Sequence, residues 1–233
     1  MSTAGSKQPT PAAAIDFLML LQQLKLTKRT GWVRRNVQGP ESIADHMYRM
    51  SMMALIATDS SVDVTRCIKM ALVHDVAEAI VGDITPHCGV SDTDKHTLEL
   101  RAIERIKDML GPDTVAASEV ESLWLEYEAA ASPEALLVKD FDKLEMIITA
   151  TQYEQAQPGL VLDEFFKSTQ GRFKTETGKA WAEELVARRL RSAQEAAEAK
   201  AGGAAEGAKE AEAGQEGAQE GAEREAKRAK TDA

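Results

Sequence analysis

Large apolar side chains stop at Leu190, and this boundary limits how much of the chain can fold. Residues 191–233 contain no Val, Ile, Leu, Met, Phe, Trp or Tyr, and six glycines lie between Gly202 and Gly221. Such a segment buries too little apolar surface to offset the conformational entropy that folding removes. We therefore expect a flexible N-terminus at 1–13, a folded domain at 14–190, and an Ala/Glu/Gly-rich tail at 191–233 that is disordered or partly helical.

Charge and hydropathy exclude several classes of protein. The 233 residues include 28 Lys and Arg against 38 Asp and Glu, a formal charge of -10, so the chain lacks the basic surface of a nucleic-acid binder. It has no run of about 18 apolar residues that would cross a membrane. Two cysteines make no disulfide framework, and residues 1–14 lack the pattern of a targeting peptide. We expect a cytoplasmic protein; the basic residues 227–230 indicate nuclear import only weakly.

The folded part has the apolar spacing and the end signals of helices, and no alternation typical of strands. Ser42 and Asp45 form a capping box, Asp63 is a candidate N-cap, and Ser132 precedes Pro133 at a first helical position. We predict an all-α fold, a helical bundle without internal repeats. The predicted helices span residues 15–26, 43–58, 63–81, 92–110, 114–130, 133–156, about 160–168 and 178–190, with a polar basic segment after the first that runs to Arg35.

Polar residues with metal-binding side chains interrupt the most apolar of these helices. His74 and Asp75 are adjacent, Glu78 follows His74 by one turn, and Asp83 comes just after the helix end. His46 lies on the inward face of its own helix. Because buried acids are costly unless they are paired or bind a metal, we interpret the group as a metal site. The alternative is that the histidines are hydrogen-bonded core residues.

Three separated segments resemble the HD-domain metal-dependent phosphohydrolases. They are Gly-Pro-Glu-Ser-Ile-Ala-Asp-His at 39–46, Leu-Val-His-Asp-Val-Ala-Glu-Ala-Ile-Val-Gly-Asp-Ile at 72–84 and Asp-Lys-Leu-Glu-Met at 142–146. Their order is similar to the 5′-deoxynucleotidase branch of that superfamily, and the similarity covers about residues 15–175. The resemblance implies an HD-domain helical bundle and a homodimer.

The resemblance also implies that one divalent metal ion binds to four side chains, those of His46, His74, Asp75 and Asp142. Glu78 and Asp83 would hold a second ion or act on the attacking water, with the backbone carbonyl of Ile84 as a further contact. Helical periodicity favours Asp140 over Asp142 as the more buried acid, and we follow the motif. This mixed set of nitrogen and oxygen ligands suits Mn²⁺, Co²⁺ or Mg²⁺, with Zn²⁺ or Fe²⁺ as alternatives.

Residues 28–37 form the most basic stretch of the folded part and are the candidate for substrate recognition. Arg29 or Arg35 would contact a phosphate, and Trp32 would pack against a sugar. The alternative is a solvated basic loop with Trp32 anchored in the core. Bacterial members of the family carry Arg and Trp side by side, and their separation here leaves the origin of 2′-deoxy selectivity unassigned.

The implied reaction converts deoxyribonucleoside 5′-monophosphates to deoxyribonucleosides and phosphate. Glu78 is the expected proton-transfer residue, and Asp83 is its candidate companion in catalysis. The same ligands would serve a phosphodiesterase or a nucleotide pyrophosphohydrolase, so both are alternatives. A third alternative is a non-catalytic interaction protein stabilised by metal, although four ligands alone would serve a structural ion and would not require Glu78 and Asp83.

Overall fold

The structure is a computed structural model that describes residues 7–195 and 197–198. Within these residues the fold is all-α, as predicted, and the one strand-like feature is an isolated bridge between Lys28 and Ser42. Residues 191–195 and 197–198 are helical, whereas the rest of the expected tail and residues 1–6 lie outside the described residues. No helix in this part of the chain has the length and apolar character needed to cross a bilayer.

Long helices and very short ones both occur in this fold. Residues 176–183 are also helical, and a single 3₁₀ turn lies at Pro86–Cys88. The main helices are α1 (Pro11–Leu20), α2 (Gln22–Leu26), α3 (Thr30–Arg34), α4 (Ile43–Ile56), α5 (Val64–Ala71), α6 (Glu78–Val81), α7 (Asp92–Leu110), α8 (Val115–Ala129), α9 (Pro133–Ala156) and α10 (Asp163–Thr169).

The predicted end signals are confirmed at the helices that frame the centre of the fold. Ser42 and Asp45 form the reciprocal capping box of α4, and Asp63 accepts a hydrogen bond at the start of α5. Ser132 caps α9 in the same way, as predicted, and Thr114 caps α8, a cap that was not predicted. These side chains satisfy amide groups that a helix leaves without partners, and so they fix where each helix begins.

The prediction was wrong at two of the shorter helices. The first helix begins at Pro11 and not at 15, because Thr10 caps it and proline occupies its first turn, and it is interrupted at Leu21. The segment before Arg35, predicted to be a polar extension, contains the one-turn helix α3. Its apolar anchor is Trp32, which is buried.

The continuous helix predicted at 63–81 is also wrong, because residues 72–77 form hydrogen-bonded turns between α5 and α6. The amides of Val76 and Glu78 bond to carbonyls three residues back, a tighter winding than the α-helix. Adjacent side chains diverge by about 100° on an α-helix and by about 120° in the tighter winding, which instead aligns residues three apart, such as Asp75 and Glu78. His74 and Asp75 still converge through their side chains, because His74 Nε2 and Asp75 Oδ2 lie 3.2 Å apart.

Helix α9 is the core element, and it packs against α4, α5, α8 and α10. Its apolar residues Leu137, Phe141 and Leu144 are fully buried. Asp140 is buried too, and its Oδ2 accepts hydrogen bonds from the Lys174 and Thr175 amides and from the Thr175 hydroxyl. This carboxylate therefore anchors the segment that leads into helix 176–183.

The chain divides into two units, residues 1–183 and residues 184–233. All the named helices lie in the first unit. In the second, residues 184–195 and 197–198 are helical, and Arg188 donates to Glu184 one turn away, at 2.7 Å.

Gly178 provides a test of the Asp140 anchor. A Cβ added at Gly178 would lie 2.5 Å from Asp140 Oδ2 and under 3.0 Å from its Cβ and Cγ. Alanine normally stabilises a helix relative to glycine, but here the clash must displace the anchor. We expect Gly178→Ala to lower the free energy of unfolding by about 1–3 kcal/mol in urea titrations.

Gly31→Ala is the matched control, because its added Cβ would meet only the Phe165 ring, at 3.4 Å. A Gly178→Ala protein that is as stable as the wild type would show that Asp140 does not hold this segment in place.

Candidate metal centre and substrate cavity

His46 is completely buried on the inward face of α4, and its two ring nitrogens have different surroundings. Nδ1 lies 2.6 Å from Glu145 Oε2 on α9. Nε2 faces the opposite way and lies 3.3 Å from Asp142 Oδ1 and 3.8 Å from Asp75 Oδ2. Burial and Arg29 lower the pKa of His46, but the neighbouring carboxylates of Asp142 and Glu145 outweigh them and raise it to about 9.

His74 is buried in the turn that follows α5. Its Nδ1 donates to the Ala71 carbonyl at 2.9 Å, which leaves Nε2 pointing toward the same centre as His46 Nε2. The centroids of the two imidazole rings are 5.4 Å apart. Each histidine therefore uses Nδ1 for support and presents Nε2 to the space between them.

The donor atoms fit a metal ion. One atom from each of His46, His74 and Asp142 lies within 4.8 Å of the others. Among the described residues, His46 Nε2, His74 Nε2 and Glu78 Oε2 are buried side-chain atoms without a hydrogen-bond partner of acceptable geometry. Buried polar atoms are normally satisfied, so three such atoms in one site leave room for a ligand that accepts their lone pairs.

The two candidate aspartates of α9 face different surroundings. Asp142 lies beside His46, and its Oδ2 accepts a hydrogen bond from the Tyr127 hydroxyl at 2.9 Å. Asp140 is the more buried of the two, as helical periodicity suggests, but its carboxylate points at residues 174–175. The geometry therefore favours Asp142 as the metal-binding acid.

Arg29 links the acidic residues of the centre. Its guanidinium lies 3.3 Å from Asp75, 3.9 Å from Asp83 and 4.0 Å from Asp142, and its side chain is only 18% exposed. Burial alone would raise the pKa values of Asp75 and Asp142, but the histidines and Arg29 outweigh it and lower both. Both carboxylates are therefore ionised at neutral pH, the form in which they bind metal ions.

Glu78 lies at the start of α6 with its carboxylate buried in the same site. Burial, Asp75 and Asp83 raise the pKa of Glu78 well above its ordinary value. Asp83 is held from the other side, because the Thr30 amide donates to its carboxylate and the Thr30 hydroxyl donates to its backbone carbonyl. Gly82, with φ of 76°, lets the chain turn between α6 and Asp83.

The centre opens into a cavity of about 310 Å³, and Ile84 is one of the residues that line it. Lys95 from α7 and Lys139 from α9 line it too, and sequence reasoning missed both. Lys139 Nζ lies 3.8 Å from the centre of the Tyr127 ring, and Lys95 Nζ lies 3.4 Å from Glu99. A lysine on an amphipathic helix resembles any solvated residue, so a single sequence carries no signal for these two.

Two of the predicted substrate contacts do not reach this cavity. Trp32 is 2% exposed, packs against Tyr153 and Phe165, and donates its indole N–H to Glu41, so it takes the alternative role of a core anchor. Arg35 donates to the Val161 carbonyl and pairs with Glu164 at 3.3 Å. Of the three predicted contacts, only Arg29 lines the cavity.

Comparison with known proteins agrees with this architecture. A family model described as HD domain matches residues 21–185. The 5′-deoxynucleotidase HDDC2 of Danio rerio is 53% identical over 161 residues, 68% of this chain and 79% of that protein. The 5′-deoxynucleotidase hdd1 of Schizosaccharomyces pombe is 49% identical over 143 residues, 60% of this chain and 72% of that protein. A crystal structure from Pyrococcus horikoshii has a TM-score of 0.62 and 35% identity, covering 76% of this chain and 98% of its own.

The two aspartates of α9 offer a matched pair of substitutions. We expect Asp142→Asn to weaken Mn²⁺ or Co²⁺ binding by more than about 100-fold, because changes next to a ligand already cost about 10–100-fold. Asp140→Asn should leave metal affinity unchanged and lower the free energy of unfolding by about 1–3 kcal/mol, because it weakens a satisfied buried anchor.

Calorimetric titration of the chelated protein measures the first effect, and urea unfolding measures the second. Loss of metal in Asp140→Asn with retention in Asp142→Asn would reverse the assignment of the two residues.

Proposed function

The chain belongs to the HD-domain family, and from that membership we propose that it is a metal-dependent 5′-deoxynucleotidase. It hydrolyses deoxyribonucleoside 5′-monophosphates to deoxyribonucleosides and phosphate, and so is a phosphoric monoester hydrolase. The observation that carries the proposal is the pair of imidazole nitrogens, His46 Nε2 and His74 Nε2, which face the cavity-lining carboxylates of Asp142 and Asp75. Relatives named 5′-deoxynucleotidases support the choice of reaction.

The residues proposed to hold a divalent ion are His46, His74, Asp75 and Asp142. Mn²⁺, Co²⁺ or Mg²⁺ are the proposed ions, and Zn²⁺ or Fe²⁺ are alternatives. When bound, such an ion supplies a water of lowered pKa and a positive charge against the phosphoryl oxygens. Arg29 keeps the two aspartates ionised and fixes their orientation before the ion arrives.

Glu78 is the proposed proton-transfer residue. Its Oε2 is buried and without a hydrogen-bond partner among the described residues, and its carboxylate lines the cavity. An elevated pKa brings a carboxylate closer to the pH at which it can both accept and return a proton. Asp83, assisted by the carbonyl of Ile84, is proposed to bind a second ion or to orient the attacking water.

The substrate is proposed to bind in the cavity that Arg29, Lys95 and Lys139 line. Lys95 lines the cavity and interacts electrostatically with Glu78 and Asp75 as well as with Glu99, which supports a contact between its ammonium group and the substrate phosphate. Trp32 and Arg35 are not part of this proposal, because neither lines the cavity.

We also propose that the protein is a cytoplasmic homodimer. Helices α1 and α4 expose large apolar side chains, among them Leu18, Met19, Leu55 and Ile56, and a second copy would bury such surface. Both cysteines of the chain are free, which fits a reducing compartment.

The decisive measurement is phosphate release from paired deoxy- and ribonucleoside 5′-monophosphates by the chelated full-length protein, with and without Mn²⁺ or Co²⁺. We expect metal-dependent release from the deoxy series. Glu78→Gln should lower kcat by about 10²–10⁴-fold, which attributes the activity to this cavity.

Release from diesters or nucleoside triphosphates alone would favour a phosphodiesterase or pyrophosphohydrolase instead. Activity of the Glu78→Gln protein equal to that of the wild type would exclude the proposed role of Glu78.

Lys95 is the substrate contact that is easiest to test apart from the metal. We expect Lys95→Ala to raise KM about tenfold, because a charge-assisted hydrogen bond contributes about 1.5–3 kcal/mol and Lys95 is partly exposed. Metal affinity should not fall, because Lys95→Ala removes a positive charge that interacts with Glu78 and Asp75 and removes no ligand.

Lys107→Ala is the matched control on the same helix, since Lys107 pairs with Glu121 on α8 and does not line the cavity. Equal KM values for the two variants would remove Lys95 from the substrate site.

A further inference from the structure

Glu145 is a buried carboxylate that the proposed reaction does not use. Its side chain is 1% exposed, and its Oε2 lies 2.6 Å from His46 Nδ1. Its Oε1 accepts hydrogen bonds from Arg49 and from the Thr149 hydroxyl, so the carboxylate is placed as an acceptor. In this arrangement His46 Nδ1 carries the hydrogen and donates it to Oε2.

This hydrogen bond determines which nitrogen of His46 is available to a metal. With the hydrogen on Nδ1, the lone pair of a neutral His46 lies on Nε2, the nitrogen that faces Asp142 and His74. The imidazole ring separates Glu145 from that space, and Glu145 does not line the cavity. Glu145 therefore acts on the centre through His46 and not as a ligand.

Glu145 is itself held in place by two further groups. Its Oε1 accepts hydrogen bonds from Arg49 at 2.9 Å and from the Thr149 hydroxyl at 2.8 Å. Arg49 also donates to the Thr149 oxygen at 2.6 Å, which closes a three-residue network. Both oxygens of the carboxylate are thus engaged, and the side chain is fixed relative to the ring it supports.

The two histidines of the centre differ in this support. His74 Nδ1 donates to the neutral carbonyl of Ala71, whereas His46 Nδ1 donates to a carboxylate. A charged acceptor makes the stronger hydrogen bond and leaves the other ring nitrogen more electron-rich. His46 should therefore be the stronger nitrogen donor of the pair.

We propose that Glu145 is a positioning residue of the metal centre, which fixes the tautomer and orientation of His46 and strengthens its Nε2 as a ligand. Helix α9 then supplies the proposed ligand Asp142 and, three residues later, Glu145, which supports the ligand His46 from α4. This inference rests on the proposed function, because it requires that a metal ion bind at His46 Nε2.

The test uses Glu145→Gln and the matched control Glu41→Gln in the full-length chain. Glu41 is the neighbouring carboxylate, with one oxygen within 4.8 Å of His46 and Glu145. Its Oε1 accepts from the Trp32 indole, and its Oε2 lies 3.4 Å from the Thr149 hydroxyl. We expect Glu145→Gln to weaken Mn²⁺ or Co²⁺ binding about 10–100-fold by calorimetric titration, with Glu41→Gln within about twofold of the wild type. Glu145→Asp, which keeps the charge but shortens the side chain, should also lose affinity.

A spectroscopic readout separates positioning from general stability. In the Zn²⁺-loaded wild type, the Nδ1 proton of His46 should resonate farther downfield in ¹H–¹⁵N spectra than that of His74, owing to its charged acceptor. Glu145→Gln should move the His46 signal upfield and leave the His74 signal in place. The wild-type spectrum alone tests the tautomer should the variant fail to fold, since a proton on His46 Nε2 would overturn the inference.

Equal metal affinity in Glu145→Gln and the wild type would also overturn it, as would an equal loss in Glu41→Gln. Failure of the proposed function gives a different result, because the wild type would then bind no metal or release no phosphate. If the wild type binds metal and hydrolyses deoxynucleotides, and Glu145→Gln has the same metal affinity, this inference is refuted and the proposed function is not.

Discussion

The positions of the acidic side chains in the site depend on their ion pairs with Arg29. One guanidinium lies within about 4 Å of three carboxylates that come from three different segments: the turn after α5, the end of α6 and the middle of α9. Without a cation these carboxylates would repel one another. Arg29 attracts all three, and with the histidines it lowers the pKa values of Asp75 and Asp142, which keeps both in the ionised form in which carboxylates bind metal ions.

Helix α9 shows how one element serves several tasks by the spacing of its acids. Asp142 and Glu145 are three residues apart and lie on one side of the helix. Asp142 lines the cavity and lies beside His46 Nε2, and Glu145 contacts His46 Nδ1. Asp140, two residues before Asp142, points to the other side and holds residues 174–175. Each acid is paired, as a buried charge must be, and the pairing partner decides its role.

The sequence predicts much of this fold because caps and apolar spacing are local signals. The capping residues Ser42, Asp63 and Ser132 mark their helix starts as predicted, and the HD-domain motifs identify the family. The turn at 72–77 is not predictable in this way, because this segment contains no Gly or Pro that would mark a helix end. The contacts of its polar side chains with the centre are made to residues far away in the sequence. Lys95 and Lys139 escape prediction for a related reason, because nothing local distinguishes them from solvated lysines.

The charges around the cavity bear on how an acidic protein admits an anionic nucleotide. Its walls contain three cationic side chains, Arg29, Lys95 and Lys139, against six carboxylates. With all six carboxylates ionised, a phosphate dianion therefore meets a cavity of net negative charge. Binding of one divalent ion reduces this negative charge but does not remove it. Protonation of Glu78, whose pKa is raised, removes the remaining negative charge, and so does a second ion beside Asp83. Under the proposed function, protonation of Glu78 would therefore ease the approach of a phosphate dianion to this cavity.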